Sequence, residues 1–334
     1  MHTIGFRTAA ALGRRQRRAR GLGHAAAAFS TGPAAPLPDV VIRGDGAVQA
    51  WTGGSKPFLA AHPRGAYTTA RTVRGGTAVF ELEAHVDRTA ESLRLMHADA
   101  GTCVALEPSV FRERFVGSMA AAVRGFYAQQ GDAAGREARV TVLATVEDAE
   151  VHFYSHAGEL PPPRRPPVAV EVRGSPRSDA AAKDSSWVTD RQGLEQLKGT
   201  DVDEIILRGD DGELLEGSQT NFYAVRDGAL WTAEEGVLAG TVRSLVLRVC
   251  AEQGVEVVLQ PPNLSDLHLW DGCLISSTSR LLLPVDTVCV CREGFAWEAS
   301  LDDSRTFEPD DLTHMLGRLL AAEVEDNSVE LPPV

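Results

Sequence analysis

Lys183-Asp184-Ser185-Ser186-Trp187-Val188 opens the stretch that decides the fold, and Val237-Leu238-Ala239-Gly240-Thr241-Val242-Arg243 closes it. Between them lie a strand-like Asp203–Leu207, an Asp211-Gly212 turn and Glu216-Gly217-Ser218-Gln219-Thr220-Asn221-Phe222. A second turn at Asp227-Gly228 leads to a third short strand, Ala229 to Thr232. Asp-Gly between apolar runs reads as a hairpin turn. The glycine at 240, followed by a helical pattern, reads as a helix start. The stretch therefore offers a lysine, a carboxylate on a hairpin and a helix N-terminus. Those are the three parts needed to hold pyridoxal phosphate, as imine partner, pyridine-nitrogen partner and phosphate site.

Lysine is scarce in this chain. Of 33 basic residues only Lys56, Lys183 and Lys198 are lysines. Lys198 precedes Gly199 at what reads as the end of a helix, and Lys56 sits in a glycine-rich stretch outside any motif. Lys183 has two alanines before it and Trp187 after it, surroundings able to desolvate its amine. Desolvation favours the neutral, nucleophilic form. Lys183 is thus the expected Schiff-base lysine.

Three patterns in order carry a family resemblance: Glu216-Gly-Ser-x-x-Asn-Phe, Val237-Leu-Ala-Gly-x-x-Arg243, and Ser276-Ser-Thr-Ser-Arg280 ahead of Pro284-Val285. Together they resemble the class IV aminotransferases, the family of branched-chain and D-amino-acid aminotransferases and of aminodeoxychorismate lyase. Lys-Asp-Ser-x-Trp-Val with Arg191 nearby looks most like the plant and algal branched-chain-aminotransferase-like proteins. The resemblance spans roughly residues 64 to 290. It implies a two-domain α+β fold (D-amino-acid aminotransferase-like) with the cofactor between the domains, and a homodimer whose partner subunit contributes to the site. It also implies a pyridoxal 5'-phosphate enzyme transferring an amino group between an amino acid and a 2-oxo acid. An aminodeoxychorismate lyase activity and a non-catalytic binding role are the alternatives.

By the same resemblance Glu216 faces the pyridine nitrogen. Gly240, Thr241 and Val242 take the phosphate with Ser277 and Thr278, and Arg88 in His85-Val-Asp-Arg88 adds a guanidinium. For Arg88 the alternative is a surface ion pair with Glu91. Tyr67 and Arg71 occupy the strand that lines the substrate side. Two departures stand out. The family's threonine follows an aliphatic residue after the glycine, whereas here Thr241 precedes Val242. Branched-chain aminotransferases carry Asn-Tyr shortly after the lysine, where this chain has Ser186-Trp187-Val188.

The 334 residues are 43% hydrophobic and 24% charged, with a net charge of −13. Residues 1–30 hold six arginines and no acid, leaving 27 bases against 46 acids elsewhere. An acidic body argues against nucleic-acid binding, and no apolar run reaches the roughly 20 residues of a membrane span. The arginine- and alanine-rich start reads as a transit peptide, mitochondrial matrix before plastid because serine is rare. Five scattered cysteines and nine histidines suggest neither a disulfide framework nor a metal site. Pro161-Pro-Pro-Arg-Arg-Pro-Pro167 can continue neither helix nor inner strand. The expected division is therefore a transit peptide over 1–30, a small α+β domain over 31–158, a linker over 159–167 and a larger cofactor domain over 168–334. Helices are expected from His85, over Val110–Gln129, over Val242–Glu252 and over Asp310–Glu323.

Overall fold

Two sheets divide the chain. The computed structural model describes residues 39–42, 48–98, 106–129, 136–290 and 304–332. The expected transit peptide and the stretch after it, to residue 38, lie outside the described residues. Everything described belongs to one compact unit, Pro36–Val334.

The first sheet takes β1 (Asp39–Ile42), β2 (Val48–Trp51), β3 (Gly65–Val73), β4 (Ala78–Phe80), β5 (Ala138–Glu147) and β6 (Glu150–Glu159). The second takes β7 (Ala169–Val172), β8 (Glu204–Arg208), β9 (Leu214–Gly217), β10 (Asn221–Arg226), β11 (Ala229–Trp231) and β12 (Val257–Val258). It is completed by β13 (Gly272–Ser277), β14 (Leu281–Val285), β15 (Thr287–Val290) and β16 (Arg305–Thr306). A last strand, β17 (Ser328–Glu330), returns to the first sheet and pairs antiparallel with β4. The order is β17-β4-β3-β5-β6-β1-β2 in one sheet and β12-β11-β10-β9-β8-β7-β15-β16 in the other, with β13 bridging β10 and β14. The proline-rich run lies between β6 and β7.

Helices α1 (Ser55–Ala60), α2 (Leu82–Met96) and α3 (Pro108–Ala128) accompany the first sheet. Helices α4 (Ser186–Asp190), α5 (Gln192–Gln196), α6 (Thr241–Gln253) and α7 (Asp311–Asp326) follow. Phe111, Phe115, Met119 and Phe126, at helical spacing on α3, bury their side chains against Val140, Val142 and Phe153 of β5 and β6. Each such phenylalanine contributes about 1.5–3 kcal/mol by leaving water. A second core joins Val242, Leu245 and Val249 of α6 to Leu316 and Leu320 of α7, and includes Phe80 of the first sheet.

The helix expectations hold to within a few residues, with two differences. Helix α2, expected from His85, already starts at Leu82. Lys56, expected in a loop, lies on α1. Gly254 ends α6 with φ +69°, the left-handed cap a glycine allows. No described helix is long and apolar enough to cross a membrane. Among the described residues no group of His, Cys, Asp and Glu is placed to hold a metal.

Candidate active site

Lys183 is held by backbone rather than by its own helix. Its carbonyl accepts from Tyr67 N–H at 2.9 Å, and Ser185 N–H donates to Gly65 O at 2.9 Å. Gly65 N–H donates to Ser185 Oγ at 3.1 Å, and Lys183 N–H to Ser92 Oγ on α2 at 3.0 Å. The lysine loop is thus strapped along the start of β3. Gly65 is required there, because a Cβ would sit 2.2 Å from Ala144 O. The Lys183 Nζ lies 4.9 Å from the centre of the Tyr67 ring. Burial lowers the lysine, Tyr67 opposes that, and Arg88, Arg177 and Arg191 lower it further, leaving it at about 8. Burial raises the Tyr67 phenol, but Lys183, Arg191 and Arg177 outweigh this and bring it down to about 8.

Glu216 is the next-to-last residue of β9, opposite Asn221 at the start of β10. Its side chain is buried, 3% exposed for the residue as a whole. Oε1 accepts from Arg177 and Oε2 from Leu238 N–H, at 2.9 Å for the latter. Gly217 is a packing requirement, not an opening towards a ring, because a Cβ would meet Thr220 Oγ1 at 2.1 Å. The Asn221 of the same motif serves the helix start. Its Nδ2 donates to Leu238 O at 2.8 Å, and its Oδ1 stands where a Cβ on Gly240 would come within 2.2 Å.

Helix α6 begins at Gly240 with no side-chain cap, so its first N–H groups are available to an anion. The Thr241 hydroxyl, displaced by one position from the family pattern, lies 3.4 Å from that of Thr278. The Val242 side chain points into the core, so this residue can serve only through its backbone. Arg88 turns inward. Its Nη2 donates to Thr68 Oγ1 at 2.5 Å, while Glu91 is taken by Arg94 at 2.6 Å. Thr68 Oγ1 is also 2.7 Å from His85 Nδ1, a ring that burial holds well below the usual histidine range. Burial brings Arg88 down to about 10, and its Nε is buried with no acceptor among the described residues. A buried, incompletely satisfied guanidinium beside an uncapped helix start is the donor set a phosphate needs. The site fits pyridoxal phosphate.

The groups suited to the cofactor meet in one cavity of about 630 Å³. It gathers Lys183, Arg88, Glu216, Gly240, Thr241, Val242, Ser277, Thr278 and Tyr67. It does not include Arg71. Tyr67, Thr69 and Arg71 share a face of β3, and a residue four along a strand is about 13 Å away. Burial lowers the Arg71 guanidinium, and Glu137 opposes that. Lys198 is structural, its Nζ donating to Val202 O at 2.8 Å. Lys56 lines the cavity but is paired with Glu195. Sequence reasoning missed Arg177, Asn221 and Leu238. A glutamate after two leucines demands a buried partner, and that demand was the available signal for Arg177.

The family model for Amino-transferase class IV matches residues 65–288. The chain belongs to the class IV aminotransferases. A branched-chain-amino-acid aminotransferase of Pseudomonas aeruginosa is 22% identical over 234 residues, covering 64% of this chain and 71% of that one. A Methanocaldococcus jannaschii relative that carries a branched-chain aminotransferase name is 31% identical over 122 residues. This match spans 35% of the present chain and less than half of the relative, 42%. Among solved structures, a Mycobacterium tuberculosis aminotransferase in its PLP-bound form superposes with a TM-score of 0.64 at 20% identity, covering 86% and 99% of the two chains. A branched-chain aminotransferase of Thermoproteus uzoniensis with norvaline gives 0.63 at 17% identity, covering 89% and 100%. The class IV aminotransferase fold is therefore shared over 86–89% of this chain and nearly the whole of those two structures.

Proposed function

We propose that this class IV protein is a pyridoxal-phosphate-dependent aminotransferase that moves an amino group between an amino acid and a 2-oxo acid. The observation that carries the reading is Lys183, whose amine is brought to about 8 in the same cavity as Glu216 and the uncapped start of α6. Bound pyridoxal phosphate supplies the electron sink for the charge left when the substrate Cα–H bond breaks. The chain supplies the rest. Backbone N–H groups at Gly240–Val242, the hydroxyls of Thr241, Ser277 and Thr278, and Arg88 would hold the phosphate. Glu216 would pair with the pyridine nitrogen. Lowering the lysine from 10.5 to about 8 raises its neutral fraction at pH 7 by more than about a hundredfold. A neutral amine so placed can take the Cα proton and return it elsewhere.

The wall after the lysine is rebuilt. Val188 packs with Phe58, Leu143 and Tyr67, and Trp187 donates Nε1 to Ser218 O at 2.8 Å. The names of relatives, acting on branched-chain amino acids and, in a Listeria monocytogenes protein 31% identical over 86 residues, D-alanine, supply the first donors to test. A screen of L- and D-amino acids with 2-oxoglutarate or pyruvate tests the reading. Transfer of the amino group to the acceptor supports it. Pyruvate and an aromatic amine released without an acceptor means a lyase instead.

We further propose, on sequence and resemblance, a homodimer, membership of the plant and algal branched-chain-aminotransferase-like subgroup, and two domains meeting across residues 159–167. Residues 1–30 are proposed as a mitochondrial transit peptide, because six arginines stand there without an acid. A reporter fused to them is expected in mitochondria, and a plastid or cytosolic reporter rejects that assignment.

A further inference from the structure

The carboxylate of Glu216 already has a cationic partner. Arg177, on the loop leading to Lys183, donates to its Oε1 from Nε at 2.8 Å, and its Nη2 stands 2.7 Å from the same oxygen as an ion pair. Both side chains are nearly closed to water, 8% exposed for Arg177 and 5% for Glu216. The guanidinium is fixed twice more, by Nη2 donating to Ala180 O at 3.0 Å and by Cζ standing 5.4 Å from the Trp187 ring centre.

Other groups around Glu216 do not replace this cation. Leu238 N–H satisfies Oε2 without adding a charge. Lys183 acts across the cavity more weakly than Arg177 does, and its amine is the group the cofactor would engage. On the adjacent strand β8, Glu204 has its own partners, Ser218 Oγ at 2.7 Å and Arg280 at 2.9 Å. A glutamate at this depth without a permanent cation would take up a proton. Arg177 is the permanent cation.

We propose that Arg177 is a positioning residue: it keeps Glu216 ionised and aimed into the cavity before the cofactor arrives, then shares that carboxylate with the cofactor's pyridine nitrogen. The second half rests on the aminotransferase reading and the first half does not. Burial holds Glu216 above the usual carboxylate range, and Arg177 is the strongest influence pulling it back down, in agreement with the geometry. A carboxylate shared between two cations holds each less tightly than it would hold one alone. Arg177 therefore also sets how firmly the pyridine nitrogen keeps its proton.

The test begins on the cofactor-free protein, by infrared spectroscopy of the protonated-carboxyl stretch as a function of pH, with Glu216→Gln as the subtraction. In Arg177→Met the Glu216-dependent band is expected to have a midpoint about one pH unit or more above wild type. Arg177→Lys should stay near wild type, and the Arg177→Met/Glu216→Gln double variant should show no such band. If Arg177→Met does not fold, Arg177→Gln, which keeps a donor without the charge, is read in the same way. With pyridoxal phosphate bound, Arg177→Met should shift the pH midpoint of the cofactor's visible absorbance, and Arg177→Lys should bring it back. An unchanged Glu216 midpoint in the uncharged variants overturns the proposal, whatever happens to cofactor retention, because Arg177 would then be packing alone. A shifted Glu216 midpoint in a protein that retains no cofactor upholds the ion-pair role and counts against the aminotransferase reading instead.

Discussion

Replacing Gly240 by alanine tests the phosphate-binding turn through a single contact. The backbone there is at φ −66°, ψ 141°, open to any L-residue, so the added methyl brings no backbone strain. It meets Asn221 Oδ1 at 2.2 Å, against the 3.0 Å below which Cβ contacts are essentially never found. Something must move by at least 0.8 Å, the difference between those two distances. Asn221 is 6% exposed and tied by Nδ2 to Leu238 O at 2.8 Å, so its movement takes from that carbonyl one of its two donors, the other being Gly240 N–H. Either that bond is lost or the turn carrying the first N–H groups of α6 is displaced. Gly240→Ala is expected to lower the unfolding free energy by about 1–3 kcal/mol and to weaken pyridoxal phosphate binding by about tenfold or more. Asn221→Ala alone should cost about 0.5–1.5 kcal/mol through the lost bond to the Leu238 carbonyl, which keeps Gly240 N–H as its second donor. It also removes the obstacle, so the double variant should be less damaged than the sum of the two by about 0.5 kcal/mol or more. Urea unfolding of the four cofactor-free proteins measures the cycle. Additive losses, or a Gly240→Ala protein as stable as wild type, would refute the reasoning.

Three further outcomes are expected. Glu216→Gln should keep the cofactor but slow the amino-donor half-reaction by roughly one to two orders of magnitude, from the loss of a charge-assisted bond of about 1.5–3 kcal/mol. It should also cost stability, because an amide can accept from Arg177 or from Leu238 N–H but not from both. Arg88→Ala should weaken cofactor affinity measured by equilibrium dialysis, whereas Arg71→Ala should leave affinity and amino-donor KM unchanged. In the cofactor-free protein, the reactivity of Lys183 towards an amine reagent should rise with a midpoint near pH 8. Because the folded lysine sits below its usual 10.5, stability should rise with pH between about 8 and 10.5, and Lys183→Met should flatten that rise.

Much of this was legible because the motifs lie on local structure. The Asp211-Gly212 and Asp227-Gly228 turns fix the hairpins that present Glu216, and glycine 212 takes φ +85° while 228 takes φ +76°. The periodicity of 242–252 marks the helix whose start takes the phosphate. What was not legible depends on partners distant in sequence. Ser328–Glu330 has too short and polar a pattern to show that it adds to β4. Arg177 sits in Arg173-Gly-Ser-Pro-Arg-Ser-Asp179, a loop without periodicity, and its role exists only because Glu216 stands against it. The place of Arg71 was hidden for a different reason. Strand alternation puts it on the same face as Tyr67, but alternation carries no information about how far along the strand the cavity extends.

The most direct test of the central claim is borohydride reduction of the protein loaded with pyridoxal phosphate, followed by peptide mapping. The label should be fixed on Lys183, and Lys183→Ala should lose it while Lys56→Ala and Lys198→Ala retain it. Wild-type levels of fixed cofactor in the Lys183→Ala protein would contradict the account.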